Sequence, residues 1–227
     1  MKVLFVGNSH TFFNDMPQIF KNICAEKGKD VDVGMLAHPG VTYGWHYKQF
    51  TDLRFALMWG GYDYVVMQQA AHSPCPEKEE TLEDGGKIIE LARKFGVTPI
   101  QTMPWAEKRD PDHQKGMYDI YNTLSEKYDV KLTVAGNVFE DVFFNHPEIN
   151  MYFVDGEHAS PYGSYTIAMA AFAAIFGESV KGLAPNSYKT YKEGFQVVND
   201  KDEAFFPLDP EKATLLQELV DKHEFGK

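Results

Sequence analysis

Three observations predict an α/β fold for this chain, a three-layer α/β/α sandwich around a five-stranded parallel sheet. Short apolar runs alternate with longer stretches of helical periodicity along the whole sequence. The strand-like runs are continuously apolar, the pattern of strands buried on both faces. They also end in glycines or polar loop residues, so side chains with chemistry gather at the carboxyl ends of the strands. At 227 residues, with 44% apolar and 24% charged residues, the chain can bury a substantial core, and one domain over 1–227 reads better than two. No internal repeat, low-complexity tract or dividing linker interrupts it.

In chain order, residues 2–6 (Lys2-Val3-Leu4-Phe5-Val6) form the first strand, and Gly7-Asn8-Ser9 turns from its carboxyl end toward a helix. Asn14 or Asp15 can cap that helix, with Pro17 in its first turn and Ile19, Phe20, Ile23 and Cys24 on its apolar face. It stops near Lys27-Gly28. Val31 to Leu36 reads as a second, shorter strand, followed by the loop Ala37-His38-Pro39-Gly40-Val41-Thr42. A helical stretch from Tyr43 breaks around Phe50-Thr51-Asp52. The third strand, Tyr64 to Gln68, ends in two amides, Gln68 and Gln69.

After a polar, proline-containing segment, a helix covers Thr81 to Lys94, and its acidic start, Glu77 to Glu80, reads as a solvated first turn. Val97 to Met103 is strand four, His113 to Tyr128 a helix, Lys131 to Ala135 strand five and Asn137 to Phe144 a short helix. Asn150 to Val154 runs extended into Asp155-Gly156-Glu157-His158-Ala159-Ser160-Pro161, and Tyr162 to Phe176 is an alanine-dense helix that Ser160 can cap. Residues 182–206 lack periodicity and read as a surface excursion. Asp209 and Pro210 then open a last helix over 207–225. Five parallel strands suit the doubly wound, flavodoxin-like order better than a barrel.

Composition excludes some functions. The net charge of −11 and pI near 5.1 argue against nucleic acid as a partner, which would need a basic face. No apolar run approaches the roughly 20 residues needed to span a bilayer. The N-terminus has a single Lys and then strand-like residues instead of a signal-peptide core, which reads as cytoplasmic, although a chain with its leader removed would read identically. Two cysteines, Cys24 and Cys75, are too few for a disulfide framework; two free thiols or one bridge are both open.

The chemistry centres on Ser9. A serine hydroxyl is a poor nucleophile until a base takes its proton, and the base needs an orienting group. Asp155 and His158 sit three apart between an extended run and a helix, so the carboxylate can accept from Nδ1 and leave Nε2 aimed at Ser9. Attack on an ester creates an oxyanion that needs preorganised donors. The backbone N–H groups of Ser9 and Gly40 are candidates, with a side-chain amide of Gln68 or Gln69 as the third.

These residues resemble a known family. Gly7-Asn8-Ser9 after the first strand and Asp155-x-x-His158 near the C-terminal end look like the SGNH (GDSL-like) hydrolases, whose four blocks carry G-D-S, a glycine, G-x-N-D and D-x-x-H. Here Asn8 replaces the aspartate of the first block, and Gly40 is the natural match to the second. No G-x-N-D follows strand three; Gln68-Gln69 stand where its asparagine is expected, as in a bacterial branch that shares the wording Gly-Asn-Ser-His-Thr. The resemblance covers about residues 2–176. It implies Ser9 as nucleophile, His158 as general base and then acid, and Asp155 as the residue orienting the imidazole. It also implies an oxyanion hole from the Ser9 and Gly40 N–H groups and a glutamine amide, Gln68 being favoured as the first polar residue after the apolar run. An acyl-enzyme on Ser9 would be hydrolysed by water, with a small-molecule ester as substrate and no metal or organic cofactor. O-acetylated sugars, short-chain esters and thioesters all remain open.

Plainer readings stand beside these. Ser9 alone could be a helix cap, Asp155 a turn former, and either glutamine a partner for backbone groups. Ser9 and Thr11 could instead hold a phosphate or flavin in a flavodoxin-like binding module, although the first loop has only Gly7 and not a glycine-rich cradle. An SGNH-like fold without activity is a third reading. His10 and His46 are placed near the pocket, with His10 structural and its side chain pointing elsewhere. His38, His72, Asp155 and His158 could make a metal site, but no ligand spacing supports one. Tyr43, Trp45, Trp59 and Trp105 read as core packing before cleft lining.

Overall fold

Strand β1 (Lys2–Gly7) pairs in parallel with β2 (Asp32–Ala37) on one side and β3 (Tyr64–Met67) on the other. Next come β4 (Thr98–Gln101) and β5 (Lys131–Leu132), giving the parallel order β2-β1-β3-β4-β5 in a computed structural model. The structure describes residues 1–48, 51–72, 77–184, 192–193, 196–197 and 208–226. This is the expected flavodoxin-like order. The chain leaves β1 in one direction for β2 and returns to the other side for β3. Loops diverging between β1 and β3 therefore open a crevice at the carboxyl edge.

The alternation of side chains along β1 divides the core into two layers. Val3 and Phe5, with Val66 and Ile100, pack against α2 (Met16–Glu26), α7 (Ala135–Asn145), α8 (Pro161–Phe176) and α9 (Pro210–Phe225). Leu4 and Val6, with Val65 and Met67, pack against α3 (Tyr43–Lys48), α4 (Asp52–Trp59), α5 (Lys78–Lys94) and α6 (His113–Tyr128). Both faces of the sheet are covered, which is why the strands read as unbroken apolar runs.

Capping side chains fix the helix starts beyond the sheet. Ser160 accepts from the Gly163 N–H at α8, and Asp209 from the Glu211 and Lys212 N–H groups at α9. The cap expected for α2 is met in position only. Asp15 occupies the cap position in the left-handed region, φ 58°, without a capping bond. Asn14 turns inward instead, donating to the Ala159 carbonyl and the Ser164 hydroxyl, both at 2.8 Å. This inward turn ties the segment after β1 to the start of α8.

Three strand expectations also change. β2 is six residues long, the same as β1. β4 and β5 are shorter than expected because the chain leaves the sheet at Thr102 and Thr133, each still bonded to the neighbouring strand through its N–H. Trp59, read as core, is 74% exposed, whereas Tyr43 and Trp105 are buried. Within the surface excursion, residues 182–184 and the antiparallel pair β6 (Lys192–Glu193) and β7 (Gln196–Val197) are described; the rest of it, and Cys75, lie outside the described residues.

Helix α8 is buried almost all round because it lies against both α2 and α9, and its alanines permit the close approach. Ala170 has no exposed surface. Ala170→Leu should overpack this layer and cost about 1–3 kcal/mol in chemical denaturation; a stability unchanged from wild type would show that the layer has room to spare.

Candidate active site

The carboxyl end of β1 delivers Ser9 to the crevice as the first residue of α1 (Ser9–Phe12). The turn between strand and helix is tight because Gly7 has no side chain: a Cβ there would stand 2.3 Å from Thr11 Oγ1. Asn8 holds it in two directions. Its Oδ1 accepts from the His10 N–H at 3.0 Å, and its Nδ2 donates to the Val41 carbonyl at 3.2 Å. The block-one loop is thereby tied to the loop after β2 that carries Gly40. His46, buried on α3, donates from Nε2 to the Gly7 carbonyl at 2.7 Å and holds the turn from beneath.

Ser9, His158 and Asp155, far apart in sequence, form one chain of hydrogen bonds. Ser9 Oγ lies 2.8 Å from His158 Nε2, and His158 Nδ1 lies 2.7 Å from Asp155 Oδ2. A carboxylate only accepts, so Nδ1 carries the ring proton and Nε2 is left to accept from the serine hydroxyl. The other Asp155 oxygen takes the N–H groups of Glu157 and His158 at 2.9 and 3.0 Å. Burial raises the Asp155 carboxyl. The bonds from Glu157 and His158 outweigh it and hold the group below its ordinary value.

The turn carrying Asp155 and His158 is fixed from outside. Tyr152 and Ala159 close it as an antiparallel bridge, with Gly156 at φ 74° between them. The loop after β4 then straps it down. Lys108 N–H donates to the Gly156 carbonyl at 2.8 Å, the Trp105 indole donates to the Glu157 carbonyl at 2.9 Å, and Arg109 pairs with the Glu157 carboxylate at 3.1 Å.

These groups surround a pocket of ≈ 190 Å³. Asn8, Ser9 and His10 form one wall, Gly40 another, Ala70, Ala71 and His72 a third, and Glu157 and His158 close it. Gly40 is at φ 69°, a conformation that favours glycine, and nothing crowds its missing Cβ. The two glutamines are not among the walls. Gln68 accepts from the Thr11 hydroxyl at 3.2 Å. Gln69 accepts the N–H groups of Tyr43 and Ala70 at 2.7 and 3.1 Å and reaches Thr81 Oγ1 at 3.4 Å. Both support the loops around the pocket, because a polar side chain buried at the end of a strand is captured by the nearest polar groups.

Histidines are where the sequence reading fell short. His10 does not point elsewhere: it lines the pocket and stacks on His158. His72, considered only as a metal ligand, is a pocket wall 8% exposed, donating from Nε2 to the Trp105 carbonyl at 2.8 Å. Its Nδ1 is buried without a hydrogen-bond partner. Nothing in its local sequence marks it; only its position just past the third strand could have. Among the described residues no cluster of histidine, cysteine or carboxylate side chains could hold a metal. Burial pushes His10, His46 and His72 below the ordinary histidine value of 6.5, His10 furthest.

The unfolded chain therefore takes up protons that the folded one refuses as the pH falls through about 6.5, and stability should fall with it. Asp155, held below its ordinary value, retains its contribution there and loses it only at lower pH. The thermal midpoint should drop measurably between about pH 7.5 and 5.5; a flat profile over that range would contradict the buried neutral histidines.

No protein-family model matches the chain, and no curated protein matches it. Solved structures do. A DUF4886 family protein from Bacteroides uniformis superposes with a TM-score of 0.75 at 16% identity, covering 100% of this chain and 96% of that one. A candidate SGNH hydrolase from Slackia heliotrinireducens gives 0.67 at 21%, covering 77% and 98%. An acetyl xylan esterase gives 0.63 at 16%, covering 78% and 100%. Together with the sheet order, these likenesses establish that the chain has the SGNH-hydrolase fold.

Proposed function

We propose that the protein is a serine esterase that hydrolyses small acyl esters through an acyl-enzyme on Ser9. The observation that carries this is the continuous path Ser9 Oγ–His158 Nε2 and His158 Nδ1–Asp155, at 2.8 and 2.7 Å, opening on a pocket. His158 takes the Ser9 proton as Oγ bonds the acyl carbon, then gives it to the departing alkoxide. Water then repeats the sequence on the acyl-enzyme. Asp155 keeps the imidazole in the tautomer that can accept. The N–H groups of Ser9 and Gly40 are assigned to the developing oxyanion; the glutamines, which do not line the pocket, support the loops.

The pocket favours a small acyl group, because its volume is ≈ 190 Å³ and Ala70 and Ala71 are among its lining residues. The structural likeness to an acetyl xylan esterase is consistent with acetyl esters, and an O-acetylated carbohydrate is one substrate class within that range. A phosphate- or flavin-binding role is disfavoured by the carboxylates of Asp155 and Glu157 at the same opening, which would repel an anion.

Hydrolysis of p-nitrophenyl acetate should be lost to below about 1% in Ser9→Ala and fall by at least about 100-fold in Asp155→Asn, which leaves the wrong tautomer facing the serine. Acetate should be preferred over octanoate, and Ala70→Leu should lower turnover of butyrate more than of acetate. Wild-type protein that hydrolyses no ester, or Ser9→Ala that retains full activity, would refute the proposal.

A further inference from the structure

The reaction proposed above uses only the two nitrogens of the His158 ring, yet its faces also carry partners. His10 stacks on it with centroids 4.6 Å apart and planes 12° from parallel. Phe13 stacks on it at 4.3 Å and 23°. Both come from the segment that delivers the nucleophile, and both are buried, at 8% and 0% exposure. The His10 ring is itself wedged edge-on by His72 at 4.5 Å and Trp105 at 5.2 Å, so its orientation is fixed.

Resting on the esterase reading, we propose that His10 and Phe13 are positioning residues for charge: their ring faces stabilise the imidazolium that His158 becomes during the reaction. When Ser9 Oγ bonds the acyl carbon, its proton passes to His158 Nε2 and the carbonyl π pair moves onto oxygen. The imidazolium persists until the acyl carbon–oxygen bond breaks and the proton leaves on the alkoxide. An aromatic face carries negative potential and attracts a cation stacked on it, more strongly when both are withdrawn from water.

A protonated His10 would repel that charge instead. Burial, with the neighbouring His72 and His158, keeps His10 well below the ordinary histidine range, so it presents a neutral ring. Among the described residues, other groups also stand around His158. Asp155 and Glu157 lie on its own turn, Ser9 comes from α1, and neutral His72 comes from the loop after β3. Asp155 attracts the cation along the ring edge, and the stacked rings act on its face.

The test compares Phe13→Leu, His10→Leu and His10→Phe on p-nitrophenyl acetate across pH. Each leucine variant should lower kcat about three- to tenfold with little change in KM. The acid limb of kcat/KM should move to lower pH, because an imidazolium without its stack loses its proton more readily. His10→Phe, which keeps an aromatic face, should restore both properties. Folded leucine variants with wild-type kcat and an unmoved limb would overturn the inference, as would a His10→Phe as impaired as His10→Leu. Imidazole ¹⁵N NMR of the wild type needs no variant to fold. His10 should stay neutral across the pH range in which the enzyme is active, and a His10 that gains a proton in that range would also overturn the inference. An inactive wild type would sink the esterase reading itself and this inference with it; an active wild type with indifferent variants sinks this inference alone.

Discussion

The bond between Asp155 and His158 Nδ1 is the constraint on which the rest of the site depends. It decides which ring nitrogen carries the proton, and so whether the other can accept from Ser9. Holding it requires the Asp155 turn to keep one shape, which the Gly156 backbone, the Tyr152–Ala159 bridge and the strap from Trp105 to Arg109 provide together. The strap enters at the end of β4 and Ser9 at the end of β1, so the sheet order places two distant parts of the sequence on one small opening.

Electrostatics at this opening are uneven. Asp155 is kept ionised by the donors around it, while His10 and His72 are kept neutral by burial beside the same base. A single site thus holds the ionised Asp155, the His158 base and two rings that do not gain charge. That arrangement suits a reaction in which positive charge forms only at His158. It also couples the site to stability, because refusing protons on buried histidines weakens the fold in acid.

Much of the fold was legible in the sequence. Continuous apolar runs gave the doubly covered strands, Asp209 and Ser160 marked helix starts through capping chemistry, and α6 begins and ends where its periodicity does. Ser9, Asp155 and His158 could be picked out because strand, turn and spacing agreed, and the structure brings them within hydrogen-bond distance. What could not be read depended on where a short polar side chain turns once it is buried. Asn14 left its capping role for Ala159 and Ser164, and Gln69 was captured by Tyr43. His10 and His72 reached the pocket through tertiary placement alone; neither lies in a pattern whose period assigns a face. Such choices are made by the nearest unsatisfied partner in three dimensions, which local sequence does not encode.

The central claim is that Ser9 is an activated nucleophile, and the most direct measurement is labelling with a fluorophosphonate followed by mass-spectrometric mapping of the modified residue. A single adduct on Ser9, formed more slowly as the pH falls, is the result expected of the proposed relay. No adduct, or one on another residue while Ser9 stays unmodified, would contradict it.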